Sequence, residues 1–364
     1  MSITEIARLA GVSTSSVSNY FNRPERVGAV TTARIRAVVG RTGYVPDERR
    51  PGPKTGDRIG VRAGCVLLLA VGCGSLREFL AQSGAVPFLD GVREGLRARG
   101  LSLLIDFASS ANGLPAGFDS RKYDGLILFG GFADPADDRL LAGRIGAFPA
   151  VRCFPYGGAF PEEVEQVICD NGAAGGVAAG FLHRQGHRLV AVFNPDGGAP
   201  ELVERADCFR RAAEAFRMEV VEFTVPPFRI IPPRLRGVRG RLLAEQFLRS
   251  PAVPSGAFFC TDDSLAGVWL AMGGRMKSLD PRHLVGCGAD EWVLSLLDPV
   301  PATVDPDTAE LGRRAVERVT ARLRGEQLAP PVPVRPRLLP GRFGVSERAF
   351  APRSRSSGPG CDAG

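Results

Sequence analysis

At 364 residues and 44% hydrophobic composition the chain can bury two or three cores, and it has no run of about 18 apolar residues to span a membrane. It opens without a basic-then-apolar signal segment, and its eight cysteines are scattered with no CxxC pair, which predicts buried, reduced thiols in a cytoplasmic protein. The net charge of +7 is unevenly spread: residues 1–58 hold ten Arg/Lys against five Asp/Glu, so the basicity belongs to this first piece and predicts a polyanionic partner for it alone.

The first piece reads as three helices. Ser2 and Glu5 fit a capping box, and Ile3, Ile6, Ala7 and Ala10 then repeat at helical spacing. Gly11 supplies a permissive turn and Ser13 an N-cap for a second helix whose apolar face is Val17, Tyr20 and Phe21. After the loop "NRPERVGAV", a third helix buries Ile35, Val38 and Val39 and stops at Gly43. Three short helices with a Gly-containing turn in a basic module describe a helix-turn-helix, in which the start of the second helix meets base edges in the major groove. That start is "STSS": Thr14, Ser15 and Ser16 bear small hydroxyls, and Asn19, one turn on, suits an adenine edge. Capping alone accounts for Ser13 but leaves the other four polar positions unexplained.

Residues 46–57, "PDERRPGPKTGD", resist both helix and strand with three prolines and two glycines. From Cys65 on, apolar runs alternate with amphipathic stretches. The expected strands are "CVLLLAV", "SLLIDFA", "DGLILFG", "FPAVRCF", "EQVICD", "RLVAVFN", "EVVEFTV", "GAFFCT" and "HLVGCG"; the clearest helices are "PFLDGVREGLRARG", "AAGGVAAGFLHRQG", "LVERADCFRRAAEAF" and "DSLAGVWLAMGG". This alternation predicts parallel sheets covered on both faces, and nine strands suit two doubly wound lobes. The end of the chain, "APRSRSSGPGCDAG", has the composition of a disordered tail.

"IARLAGVSTSSVSNYFN", Val27 and the segment ending "GYVPD" resemble the N-terminal domain of the LacI/GalR (lac repressor) family of bacterial transcription regulators over residues 2–47. The resemblance implies base reading by Thr14, Ser15 and Asn19, with Ser13, Ser16, Ser18 and Asn22 at phosphate-contacting or capping positions. It also places Arg26 on the DNA backbone and makes Tyr44 the aromatic residue ahead of the linker. The family's linker forms a helix that levers a leucine into the minor groove. Here "ERRPGPK" has Pro51 and Pro53 and no leucine, so Arg49, Arg50 and Lys54 either lie along the minor groove as an extended arm or form a flexible tether.

A looser resemblance to the same family continues to about residue 345, through "VICDNGAAGGVAAGFLHRQGHRLVAVF", "ERADCFRRAAEAF", "GAFFCTDDSLAGVWLAM" and "PVPATVDPDTAELGRRAVERV". It implies a periplasmic-binding-protein-like (type I) core of two lobes around a ligand cleft, with a dimer interface alongside. Sites in open α/β sheets lie beyond the carboxyl ends of strands, where Arg205, Asp262 and Asp263 would project; an Arg fork with acidic acceptors suits polyhydroxyl or carboxylate ligands. Arg205 falls at the family's ligand-contacting arginine, with a plain surface charge as the alternative. The family's sugar-binding aspartate falls on Gly288; Asp290 stands two residues away as a substitute, or that contact is lost. The stretch 72–87 is longer than the family's loop and assigns no pocket residue.

Enzyme readings fare worse. "GCGSL" resembles a dinucleotide loop but has Arg77 at the third glycine position, and no GxxxxGK[ST] exists. His183 and His187 sit four apart with no third ligand, which predicts a surface pair. Asp262 and Asp263 are adjacent, which rarely aims two carboxylates at one atom. No cofactor and no metal are expected.

The sequence therefore predicts a helix-turn-helix domain over 1–46, a linker over 47–59, a two-lobed domain for effector binding and dimerisation over 60–350 and a tail over 351–364. The expected function is a cytoplasmic, nucleoid-associated, sequence-specific regulator, most simply a repressor, with no membrane partner. It would bind a palindromic operator as a homodimer under control of a sugar or related metabolite. The alternatives are a regulator whose degenerate cleft needs no effector, and an α/β enzyme with an appended DNA-binding module.

Overall fold

The computed structural model describes residues 3–44, 63–118, 122–132, 134–154, 164–227, 236–274 and 279–342. Ser2, the linker over 47–59 and the tail over 351–364 lie outside them, and so do Arg49, Arg50 and Lys54. The chain divides into two compact units, Met1–Arg58 and Ile59–Gly364.

In the first unit, α1 (Ile3–Ala10), α2 (Thr14–Asn22) and α3 (Ala29–Thr42) enclose a small core of Ile6, Ala7, Ala10, Val17, Ile35 and Val38. Gly11 has φ of +63°, which lets Val12 N–H turn back to the Ala7 carbonyl at 3.0 Å and close α1. Gly43, at φ +62°, ends α3 in the same left-handed conformation. Val39, expected inside, is only partly buried.

The second unit begins with β1 (Cys65–Val71), α4 (Leu76–Leu80), α5 (Ala85–Ala98), β2 (Ser102–Ala108), β3 (Gly125–Gly130), α6 (Pro135–Ile145), β4 (Ala150–Cys153) and β5 (Glu165–Val167). The second lobe follows as α7 (Asn171–Arg184), β6 (Leu189–Asn194), α8 (Pro200–Ala215), β7 (Glu219–Thr224), α9 (Arg236–Arg249), β8 (Gly256–Phe259), α10 (Asp262–Ala271), β9 (Leu284–Cys287), α11 (Glu291–Leu294) and β10 (Ala302–Asp305). The last elements are α12 (Thr308–Leu323) and β11 (Arg337–Leu339).

Two sheets result, in the orders β2-β1-β3-β4-β5 and β11-β10-β9-β8-β6-β7, parallel throughout except for β11. Each of the nine expected runs carries a strand, and two doubly wound α/β lobes form as expected. Inner strands such as β1 and β3 are buried along their whole length, whereas the edge strands β2 and β7 expose part of theirs. That is the physical reason "SLLIDFA" and "EVVEFT" mix polar and apolar residues.

The chain passes between the lobes at residues 168–171 and 305–308 and returns near Val334, which is bridged to Ile168 and Asp170 by main-chain hydrogen bonds of 2.9 Å. The helix α12 leaves the second sheet and packs on α5, β3 and β4 of the first. Gly91 and Gly312 make the α5–α12 contact possible, because a Cβ on either would run into the other helix's backbone. The segments that cross between the lobes leave a cleft between them.

Candidate functional site

The two units each carry a candidate site. In the first, Ser13 takes the extended backbone of an N-cap and its Oγ accepts from Ser16 N–H at 3.1 Å, which starts α2. The same oxygen lies 2.8 Å from Ser15 Oγ and 2.9 Å from Ser16 Oγ, so one hydroxyl organises the whole "STSS" turn. Val17 is turned fully inward, whereas Thr14 and Ser15 are exposed and Ser16, Ser18 and Asn19 are half-buried. The side chain of Asn22 lies outside the described residues.

Arg26 ends a 3₁₀ turn over Pro24–Arg26 and is exposed, as are Arg8, Arg23, Arg34, Arg36 and Arg41. Residues 3–44 contain only Glu5 and Glu25 as opposing charges. Tyr44 is half-buried, with its ring edge-on to Phe21 at 5.9 Å, and so pins the chain that leaves α3. The module is a basic three-helix unit that presents hydroxyls and one amide at the start of α2.

In the second unit a cavity of about 550 Å³ opens between the lobes, within the range of small-molecule sites. Its wall collects residues that follow the carboxyl ends of strands: Phe132 after β3, Phe154 after β4, Pro195 after β6, Thr261 after β8, Gly288 after β9 and Pro306 after β10. Gln82 and Ser83, in the long loop before α5, complete the first lobe's side.

Arg205 lines this cavity, as the sequence predicts. Its guanidinium donates at 2.7 Å to the Cys260 carbonyl and at 2.7 Å to Asn171 Oδ1, which ties α8 to the end of β8 and the start of α7. Its Nε is buried and without a hydrogen-bond partner among the described residues. One turn earlier, Glu201 also lines the cavity with an unpartnered Oε2, and burial pushes its carboxyl above the ordinary range. Asp196 accepts from Arg239 at 2.5 Å and from Gly198 N–H at 2.9 Å, placing a neutralised pair on the wall.

Of the acidic residues expected at the ligand, Asp263 lines the cavity and Asp262 does not. Asp262 is fully buried beneath it; Oδ1 accepts from the Thr303 hydroxyl at 2.8 Å and Oδ2 from Asp290 N–H at 2.9 Å. Successive residues at a helix start point about 100° apart, so only one of the two can face the ligand. Asp290 is likewise off the wall and serves as N-cap of α11, accepting from Val293 N–H at 3.2 Å.

Glu201 was legible as a partner four residues before Arg205 on one helix face. Arg239, Gln82 and Ser83 reach the cleft only through tertiary structure. The cleft wall therefore carries cationic, anionic and neutral polar groups, suited to a polar ligand.

The expected surface pair of histidines is not one. His183 is exposed and stacks on Phe216 at 4.5 Å, but His187 is buried, bonded to Ser255 Oγ at 2.9 Å and to Gln185 Oε1 at 3.3 Å. Burial, then the neighbouring His283, lowers its basicity. Six of the cysteines are buried and Cys208 is half-buried. No helix among the described residues is long and apolar enough to cross a membrane, and no group of three or more metal-binding side chains is found among them.

Residues 2–47 match the model of bacterial regulatory proteins of the lacI family, and residues 179–342 match that of the periplasmic binding protein-like domain. The HTH-type transcriptional regulator PtxS of Pseudomonas putida is 26% identical over 338 residues, covering 90% of each chain. The HTH-type transcriptional regulator TreR of Escherichia coli is 23% identical, covering 89% of this chain and 94% of the relative. Among solved structures, the lac repressor dimer bound to operator and the anti-inducer ONPF superposes with a TM-score of 0.68 at 16% identity, over 94% of this chain and 98% of that one.

Proposed function

We propose, from the premise that this chain belongs to the LacI family of bacterial regulatory proteins, that it is a repressor whose grip on DNA is set by a small molecule in its interlobe cleft. The family is one of transcription regulators rather than enzymes, and the chain has both of its domains. The observation that carries the reading is the Ser13-capped start of α2, where Thr14 and Ser15 stand exposed on a module studded with arginines.

In this reading Thr14, Ser15 and Asn19 read base edges, Ser13, Ser16, Ser18 and Asn22 contact phosphates or cap the helix, Arg26 touches the DNA backbone, and Tyr44 stands ahead of the linker. Arg49 and Arg50, from the linker, lie along the minor groove as an extended arm. The domains divide at 1–46, 47–59, 60–350 and 351–364. The protein acts in the cytoplasm, on the nucleoid.

One short reading helix per chain covers one half-site, so the operator is palindromic and the protein a homodimer. The effector is a sugar or related polar metabolite, held by Arg205 and Asp263 with Glu201 and the Asp196–Arg239 pair. Effector and operator affinities are coupled, and the coupling is reciprocal.

Selection of bound duplexes from a random pool tests the reading. A two-fold symmetric consensus is expected, and a pool recovered without any consensus overturns it. A screen of sugars and organic acids for release of the selected duplex then identifies the effector.

A further inference from the structure

We infer that Asp262 is the positioning residue of the cleft floor, and that it holds that floor as a proton-exchanging group whose charged and neutral forms fit one and the same cage. The inference rests on the reading of the interlobe cavity as a ligand site. The cage is built from three elements. The Thr303 hydroxyl on β10 donates to Oδ1, and Asp290 N–H, at the turn into α11, donates to Oδ2. The third wall is β9, where Gly286 and Gly288 leave the room the carboxyl occupies. A Cβ at Gly286 would run into Oδ1, and one at Gly288 would stand 3.2 Å from Oδ2 and 3.0 Å from Ser83 Oγ.

The residues on either side of Asp262, Thr261 and Asp263, line the cavity, as do Cys287 and Gly288 above its oxygens. Whatever fixes this carboxyl therefore fixes the start of α10 against the end of β9.

The two protonation states are interchangeable without moving a heavy atom. When ionised, the carboxylate accepts from Thr303 and from Asp290 N–H. When neutral, it carries its proton on Oδ1 and donates to Thr303 Oγ1, whose own hydroxyl hydrogen rotates away, while Asp290 N–H stays on Oδ2. The proton comes from solvent and returns to it.

The groups that act on Asp262 are Asp290 and Asp263, and Cys287 on β9; Arg205 in turn acts on Cys287. Complete burial, foremost, raises the Asp262 carboxyl to about 7; its two hydrogen bonds oppose the rise and the two neighbouring carboxylates add to it. The floor of the cleft thus gains a negative charge as pH climbs through neutrality. Cationic ligands held over that floor are favoured above this pH relative to below it, through space rather than by contact.

The test uses the full chain, free of DNA and effector, with its aspartate carboxyls labelled with ¹³C. One carboxyl resonance is expected to titrate with a midpoint near pH 7 and to vanish in Asp262→Asn. That variant mimics the neutral acid, its amide donating to Thr303 and its oxygen accepting from Asp290 N–H. The two tryptophans, Trp269 on α10 and Trp292 on α11, report the elements that Asp262 joins. Their emission should follow the same midpoint in the wild type and lose that component in Asp262→Asn.

Because the folded carboxyl is raised above its unfolded value, its contribution to stability is present at low pH and lost as pH rises to about 7. The wild-type unfolding equilibrium should therefore shift on the order of tenfold per pH unit between about 4 and 7, relative to Asp262→Asn. Should that variant not fold, Thr303→Val removes the hydroxyl that serves both forms; because its bond to the ionised carboxylate is stronger than its bond to the neutral acid, the wild-type resonance must move to higher pH.

A resonance that titrates below pH 5, or emission profiles identical in wild type and variant, overturns the inference and leaves the regulator reading standing. A pool selection without consensus removes the regulator and leaves the titration untouched.

Discussion

Arg205 reaches from α8 to the main-chain oxygen of Cys260 at 2.7 Å, so the cation that faces the cleft also holds the end of β8 beneath it. The same guanidinium holds Asn171 at the head of α7. A residue bonded in this way both presents charge to the ligand and sets the spacing of the helices that present everything else.

The first prediction follows from that double bond. Arg205→Lys keeps the charge but cannot span both acceptors, since an ammonium on a flexible stem lacks the planar fork. Loss of one hydrogen bond from a charged donor should cost about 1.5–3 kcal/mol of stability. Release of the selected operator by the effector should fail at concentrations that saturate the wild type, while operator affinity without effector is unchanged. Denaturant titration and DNA binding with and without effector check both halves; a variant that is still fully inducible removes Arg205 from the site.

Ser13 separates capping from contact. Ser13→Ala removes the acceptor for Ser16 N–H and should cost about 1 kcal/mol in the stability of the helical module. Ser13→Asp keeps an equally good cap but sets a carboxylate among phosphates. It should preserve the melting transition while weakening every DNA sequence alike. Equal DNA affinity in Ser13→Asp and the wild type would place Ser13 away from the backbone.

Asn19 and Arg26 should fail differently. Asn19→Ala should relax preference at one position of each half-site at a cost of about 1–3 kcal/mol for the preferred base. Arg26→Ala should leave the preference intact and lower the slope of log affinity against log salt by about one unit per half-site. Measurement on a randomised operator library at two or three salt concentrations distinguishes them, and an unaltered salt slope would clear Arg26 of phosphate contact.

The buried pair Asp138–Arg152 shapes the first lobe's side of the cleft. Arg152 donates to Asp138 at 2.8 Å and to the Gly130 carbonyl at 3.1 Å, and Asp138 accepts from Phe132 N–H at 3.1 Å, which holds the Phe132 wall in place. Asp138→Ala strands a buried guanidinium and should cost about 3–5 kcal/mol. Adding Arg152→Met removes the stranded charge and should recover most of that loss. A double variant no more stable than Asp138→Ala would show that the charge is not the cost.

Much of the architecture was readable because apolar runs of the parallel kind announce themselves: "CVLLLAV" coincides with β1 and "SLLIDFA" with β2. The strand β10 escaped notice because its four residues sit between Pro301 and Pro306, where breaker signals outweigh so short a run. The return of α12 to the first lobe depends on glycine contacts 221 residues apart in sequence, Gly91 and Gly312, that no local pattern encodes. At the site, the end of β8 located the acidic pair, but which of the two carboxylates turned inward depended on the cage waiting at Gly286 and Thr303.

Gly288 supplies the last prediction. It holds φ of +138°, a left-handed conformation that a side chain strains, and its Cβ position already lies at contact distance from Ser83 Oγ and Asp262 Oδ2. Gly288→Asp, which writes in the aspartate of the wider family, should therefore not restore a ligand group. It should destabilise the second unit by about 1–3 kcal/mol through backbone strain alone, with further loss from a second carboxylate beside Asp262. The electrostatic part depends on charge at position 262, so Gly288→Asp should cost less in an Asp262→Asn background, and the gap between the two backgrounds should widen as pH rises from 5 to 8. Urea midpoints of the four chains at both pH values check this. Equal costs in the two backgrounds would mean that the residues do not share a cage.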